Sequence, residues 1–171
     1  MSDARFRDTA PSERVSDRPL RLLAESVEDL GIVSALVQDA VTRVGEIAWM
    51  PRRRRLAMLL NRFRWEDRVT AESEGRPFER VRACLLFDYV LSVRGRGIDP
   101  RNRQAALSLL RIDFAPEPRE GATGGRVTIS LAGGGEIALD VECIEARLVD
   151  TTRPWEARAG SAPDHRLDEA D

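Results

Sequence analysis

A chain of 171 residues with 42% hydrophobic side chains suits one domain with a core of its own. Its net charge of −2 argues against a surface that is a nucleic-acid footprint throughout, and no apolar run approaches the roughly 20 residues that span a bilayer. All 27 basic residues are arginine, so there is no lysine for a Schiff base, a P-loop phosphate contact or an amine nucleophile.

Residues 1–25 alternate charge, Ser and Pro without an apolar stretch, and read as a disordered lead, not a secretory signal. A single domain is expected over residues 26–158, followed by a polar tail, residues 159–171. Val27, Leu30, Val33 and Val37 recur at helical spacing, with Ser26 as cap and Glu28 and Asp29 at the positive end of the dipole, which predicts a helix from Val27 to about Asp39. The period then becomes two. Val41 to Met50 and Arg55 to Trp65 read as strands around a polar reversal at Pro51-Arg52-Arg53-Arg54, and Glu66 to Arg80 reads as a loop.

Val81 to Arg94 reads as one long strand, and Leu107 to Phe114 as another. Val127, Ile129 and Leu131 then lead through Gly133-Gly134-Gly135 into a return strand that carries Ile137, Leu139, Val141 and Cys143 on one face. Its apolar phase slips by one residue, which places a β-bulge near Cys143-Ile144. Pro154 and Trp155 are expected to open a short terminal helix, with Trp155 docking on the sheet. The fold class expected is α+β: a mostly antiparallel sheet, twisted or barrel-like, with about six long strands and a helix at each end. The halves 56–94 and 107–150 look weakly alike, each pairing a shorter strand with a longer one.

The chemistry is read first by exclusion. The single histidine, His165, lies in the polar tail, away from any nucleophile, and two separated cysteines, Cys84 and Cys143, cannot assemble a structural zinc site. They read as buried thiols of a cytoplasmic protein. No dinucleotide or P-loop motif is present. No catalytic residue, cofactor or metal is therefore assigned.

Two constellations are left. Asp140 and Glu142 leave one strand face about 7 Å apart, and Glu145 beyond the bulge can turn toward them. Such a trio suits a hard cation or acid–base work, whereas a solvated face paired with Arg126 or Arg147 is the plainer reading. Arg52, Arg53 and Arg54 at the reversal, Arg62 and Arg64 on the strand after it, and Arg94 and Arg96 between glycines are candidate phosphate or nucleic-acid contacts, with Trp49, Phe63 and Trp65 near enough to stack on bases. Strand alternation sends Phe63 and Trp65 to one face and Arg62 and Arg64 to the other, which suits an aromatic core under a charged exterior better than a stacking platform.

Several of these stretches carry a resemblance. Asp39-Ala40-Val41 with Arg43 to Trp49, Asn61-Arg62-Phe63-Arg64-Trp65-Glu66, Phe87 to Leu91, Gly133-Gly134-Gly135 and Val141 to Ala146 resemble the bacterial domain of unknown function (DUF) family 2948, over about Leu20 to His165. Pro163-Asp164-His165 matches the ending that the resemblance implies. The resemblance implies a lineage and no reaction, ligand or catalytic residue. The function expected is that of a non-enzymatic binding or adaptor domain with a protein partner, held on a sheet face or strand edge. Nucleic acid at the arginine hairpin and a carboxylate enzyme are the alternatives, and no membrane is involved.

Overall fold

Residues 18–157 are described by the structure, a computed structural model. The elements in chain order are β1 (Arg21–Ala24), α1 (Val27–Leu36), β2 (Val41–Arg43), β3 (Ile47–Met50), β4 (Arg55–Phe63), α2 (Arg68–Glu74), β5 (Glu79–Phe87), β6 (Val90–Arg96), β7 (Ala106–Pro116), β8 (Gly125–Leu131), β9 (Glu136–Val141), β10 (Ala146–Asp150) and β11 (Trp155–Glu156). Helix α1 begins as its cap predicts, with the Ser26 hydroxyl accepting from Asp29 N–H at 3.1 Å, and it buries Leu30, Val33 and, just past its end, Val37. No helix among the described residues is long and apolar enough to cross a membrane.

All strand pairs are antiparallel, in the order β1-β10-β5-β4-β2-β7-β8-β9-β6, with β3 also beside β4 and β11 beside β5. The sheet is open, not closed into a barrel, and with two short helices the fold is mostly β and not clearly α+β. The inner faces of both ends of the sheet meet in one core, where Leu56, Met58, Leu85 and Phe87 join Ile129, Leu131, Leu139 and Leu148. Helix α1 packs on β1 and β7, and the Ser34 hydroxyl accepts from Ile112 N–H at 2.8 Å.

Among the described residues eleven strands replace the six expected: the expected strands 41–50, 81–94 and 137–148 are each broken in two, the last two where the sheet turns a corner, and β1 and β11 are added. The expected strand 81–94 stops at Phe87, Tyr89 adopts a left-handed φ of 57°, and β6 resumes with β9 as its neighbour instead of β4 and β10. Opposite it, residues 142–145 separate β9 from β10, a wider break than the single bulge expected. Asp88 N–H donates to Glu145 O and Glu142 N–H to Tyr89 O, both at 3.0 Å, so the two chains bend together. Burial records the break as odd spacings: Phe87 to Val90 on one strand, Val141 to Ala146 on the other. Alternation alone cannot distinguish such a corner from one bulged strand.

Three further expectations change. The loop 66–80 holds α2, capped at Gly75 with a left-handed φ of 63°. Pro154-Trp155 opens no helix: Trp155 pairs with Arg80 as part of β11 and is 40% exposed. Strand β1 falls inside the stretch read as the lead, held there by pairing with β10. The β8–β9 hairpin forms as expected, with Gly133 and Gly134 at φ 84° and 87°, values that favour glycine. The two halves differ in pairing, since β4 lies directly on β5 while β8 separates β7 from β9.

Candidate functional site at the open edge

The arginines of β4 are sorted by its two ends. Leu56, Met58 and Leu60 form its inward row, and Arg62 continues that row instead of facing outward; Phe63 on the other face is buried as expected, so it is the charged exterior that this end of the strand lacks. Arg62 is fully buried. Its Nε and Nη2 each donate to Asp150 at 3.0 Å, Nη1 and Nη2 donate to Glu66 at 2.9 and 2.7 Å, and Nη1 also reaches Phe63 O at 3.1 Å. A guanidinium has five N–H donors, and all five are used. Burial alone would raise Glu66, but the hydrogen bonds and charge of Arg62 hold it below the usual carboxylate range. Arg64, also buried, is ion-paired through Nη1 with Glu79 and lies 3.9 Å from Asp67. On the opposite face Arg80 lies 4.0 Å over the Phe63 ring, and Trp65 donates to Gln38 O at 3.0 Å, so neither aromatic is an open platform for bases.

At the other end, Pro51–Arg53 make a 3-10 turn closed by Arg54 in a left-handed conformation. This turn meets the strand corner, and part of each candidate site of the sequence comes together there: Arg53 and Arg54 of the one, Glu142 and Glu145 of the other. Arg53, Arg54 and Arg55 line one hollow of about 380 Å³ together with Asp88, Glu142, Glu145 and Arg147. Arg54 pairs with Glu142, Arg55 Nε donates to Asp88 at 2.7 Å, and Arg147 donates to Glu145 at 2.8 Å. The hollow is therefore close to electrically neutral. Arg52 and Arg53 are exposed and form no ion pair among the described residues.

The three carboxylates do not meet. Asp140 lies on β9 and takes Arg126 Nε at 2.9 Å, Ser92 Oγ at 2.8 Å and Arg94 Nη2 at 2.8 Å. Arg126 first, then Ser92 and Arg94, pull its carboxyl down to about 2. Arg96, the neighbour of Arg94 on β6, pairs with Glu136 at 3.1 Å. No group of three or more His, Cys, Asp or Glu among the described residues is placed to hold a metal ion. Cys84 and Cys143 are free, half-buried thiols, and burial raises both above their ordinary value, which keeps them protonated and weakly nucleophilic at neutral pH. His165 lies outside the described residues.

The sequence reading missed a different feature. Strand β6 is at one end of the sheet and, among the described residues, pairs only with β9; on its open side the bond from Val90 N–H to Arg54 O, 2.9 Å, ties it to the turn before β4. Beyond that tie, β6 and the β2–β3 segment face each other across a hollow of about 330 Å³ lined by Val44, Ile47, Val93, Ile98, Pro100 and Ile137, with Arg103 at its rim. Ile98 sits among turn residues and Val44 beside a glycine, so neither stands in a long alternating pattern that would mark it.

The family described as "Protein of unknown function (DUF2948)" matches residues 20–165. Nothing among the curated proteins and nothing among the solved structures matches the chain.

Proposed function

We propose, for a chain that belongs to this family and takes no activity from its description, that it is a cytoplasmic binding domain that holds an extended segment of another protein along the open edge of β6. The observation that carries this reading is the one-sided pairing of β6 beside the apolar hollow. An edge strand offers its unpaired N–H and C=O groups to an added strand, and alternate side chains of the guest, about 7 Å apart, drop into a neighbouring apolar recess. Arg94 and Arg96, both largely exposed, oppose pairing of β6 with a second copy of itself, because like charges would stand across the new ladder. Arg103 at the rim favours a guest with an acidic residue beside its apolar positions.

The test is site-specific photo-crosslinking in the native cell. A photoreactive side chain at Arg94 is expected to trap a discrete partner, one at Val69 on α2 to trap none, and Ile98→Glu to abolish the Arg94 product while the protein stays folded. Equal products from Arg94 and Val69, or an Arg94 product that survives Ile98→Glu, would overturn the reading.

Nucleic acid at the Pro51–Arg54 turn is the second reading, favoured by the exposure of Arg52 and Arg53 and by their lack of an acidic partner among the described residues. Single-stranded RNA or DNA bound there must weaken steeply as salt rises and must be lost in Arg52→Ala with Arg53→Ala. Binding that is indifferent to both would end it.

A further inference from the structure

We propose that the hollow between Arg18, Arg21, Arg64 and Arg153 binds a phosphate group, either free or carried by a small ester. The place is created by the fold. β1 pairs with β10 with Arg21 opposite Val149, and this brings the start of the described chain against the segment that leaves β10. The walls are fixed by two backbone bonds, Asp150 N–H to Leu20 O at 2.9 Å and Thr151 N–H to Arg82 O at 2.7 Å, and by one to a side chain, Arg82 N–H to the Thr152 hydroxyl at 3.1 Å. Between them lies a concavity of about 320 Å³, at the lower end of small-ligand pockets and large enough for a phosphate with a few further atoms.

Its charge is unusual in this chain. Most arginines with a side chain at the sheet surface have a carboxylate within reach, but Arg18, Arg21 and Arg153 form no ion pair among the described residues and all three are exposed. Arg64 forms the buried part of the lining and makes its ion pairs through Nη1. Asp150 also lines the hollow, yet it does not act as a free carboxylate there: Oδ1 takes Arg62 Nε and Oδ2 takes Arg62 Nη2 and Leu20 N–H. What remains is a recess rimmed by three unmatched guanidinium groups, each a fork shaped for the oxygens of phosphate. Arg52 and Arg53 are equally unpaired, but Arg52 projects from a turn, and the hollow that Arg53 lines is matched by Asp88, Glu142 and Glu145. The signal in the sequence is slight, an Arg-Pro pair at residues 18–19 and again at 153–154, and only the β1–β10 pairing joins them.

The experiment titrates inorganic phosphate, glycerol 3-phosphate and potassium chloride, at matched ionic strength, into the full chain and follows backbone amide signals. Saturable shifts of Arg21, Thr151 and Thr152 with phosphate or with the ester are expected, and none with chloride. Tenfold tighter binding of the ester identifies a phosphoester ligand, and equal binding identifies the free ion. Arg21→Ala with Arg153→Ala is expected to weaken binding at least tenfold, while Arg52→Ala with Arg53→Ala, which removes the same charge, leaves it unchanged. All four side chains are exposed, and the amide spectrum itself reports that each variant is folded. Equal shifts with chloride, no shift with either phosphate, or equal weakening in the two double variants would overturn the proposal.

Discussion

Where the chain enters β4, Arg52 and Arg53 stand in solvent without an acidic partner among the described residues; where β4 ends, Arg62 is wholly buried and gives all five donors to protein oxygens. The same residue type serves opposite purposes within about a dozen positions. Burial decides which. A charge out of water is tolerated only when its hydrogen bonds and counter-charges are complete, and once they are complete nothing is left to hold a ligand. A run of arginines therefore does not indicate a binding surface until their partners are known.

The largest expected break in this comparison is Arg62→Met, which leaves Asp150 buried and Glu66 partly buried without their counter-charge and should cost about 3–5 kcal/mol in urea unfolding. A loss of under about 1 kcal/mol would mean that the network is not what holds this end of the sheet. Adding Asp150→Asn to that variant should recover part of the loss, with a coupling of about 0.5–3 kcal/mol, because the second change removes the stranded carboxylate. Strictly additive losses would contradict the pairing.

A smaller effect sharpens the contrast with the exposed face. The carboxyl of Asp140 is depressed to about 2 by Arg126, Ser92 and Arg94, so the stability it contributes is complete above its ordinary value near 4 and is lost as pH falls from about 4 to about 2. Asp140→Asn should cost about 1 kcal/mol at pH 6 after solvent screening, and thermal unfolding of the two proteins should converge by about pH 2. A gap that persists unchanged at low pH would count against the ion pairs. The smallest effect belongs to the turn, where Arg52→Ala with Arg53→Ala should move stability by less than about 0.5 kcal/mol in the same urea assay.

Several features of the molecule were legible before the fold was known. Ser26 and the 27-30-33-37 stripe located α1, and the three glycines at 133–135 located a hairpin, because caps and tight turns depend on residues a few positions apart. The motifs around Asn61–Glu66 and Val141–Ala146 identified the family, and the match over residues 20–165 establishes it. The pairing of Asp140 with Arg126 was likewise readable from cross-strand register.

Other features depended on contacts between distant segments. Alternation indicates that a residue faces the core or the solvent, but not what covers the face; Arg62 is interior because Asp150, 88 residues away, arrives to meet it. The corner at Asp88–Tyr89 and residues 142–145 is stabilised by bonds between two strands, so neither strand alone announces it. The open side of β6 is likewise a property of strand order. Local sequence thus determined the helix, the hairpin and the family, through interactions that close within a few residues. Which charges are buried, where the strands bend and which edge is left unpaired were decided by tertiary structure, because each depends on partners that only folding brings within hydrogen-bond reach.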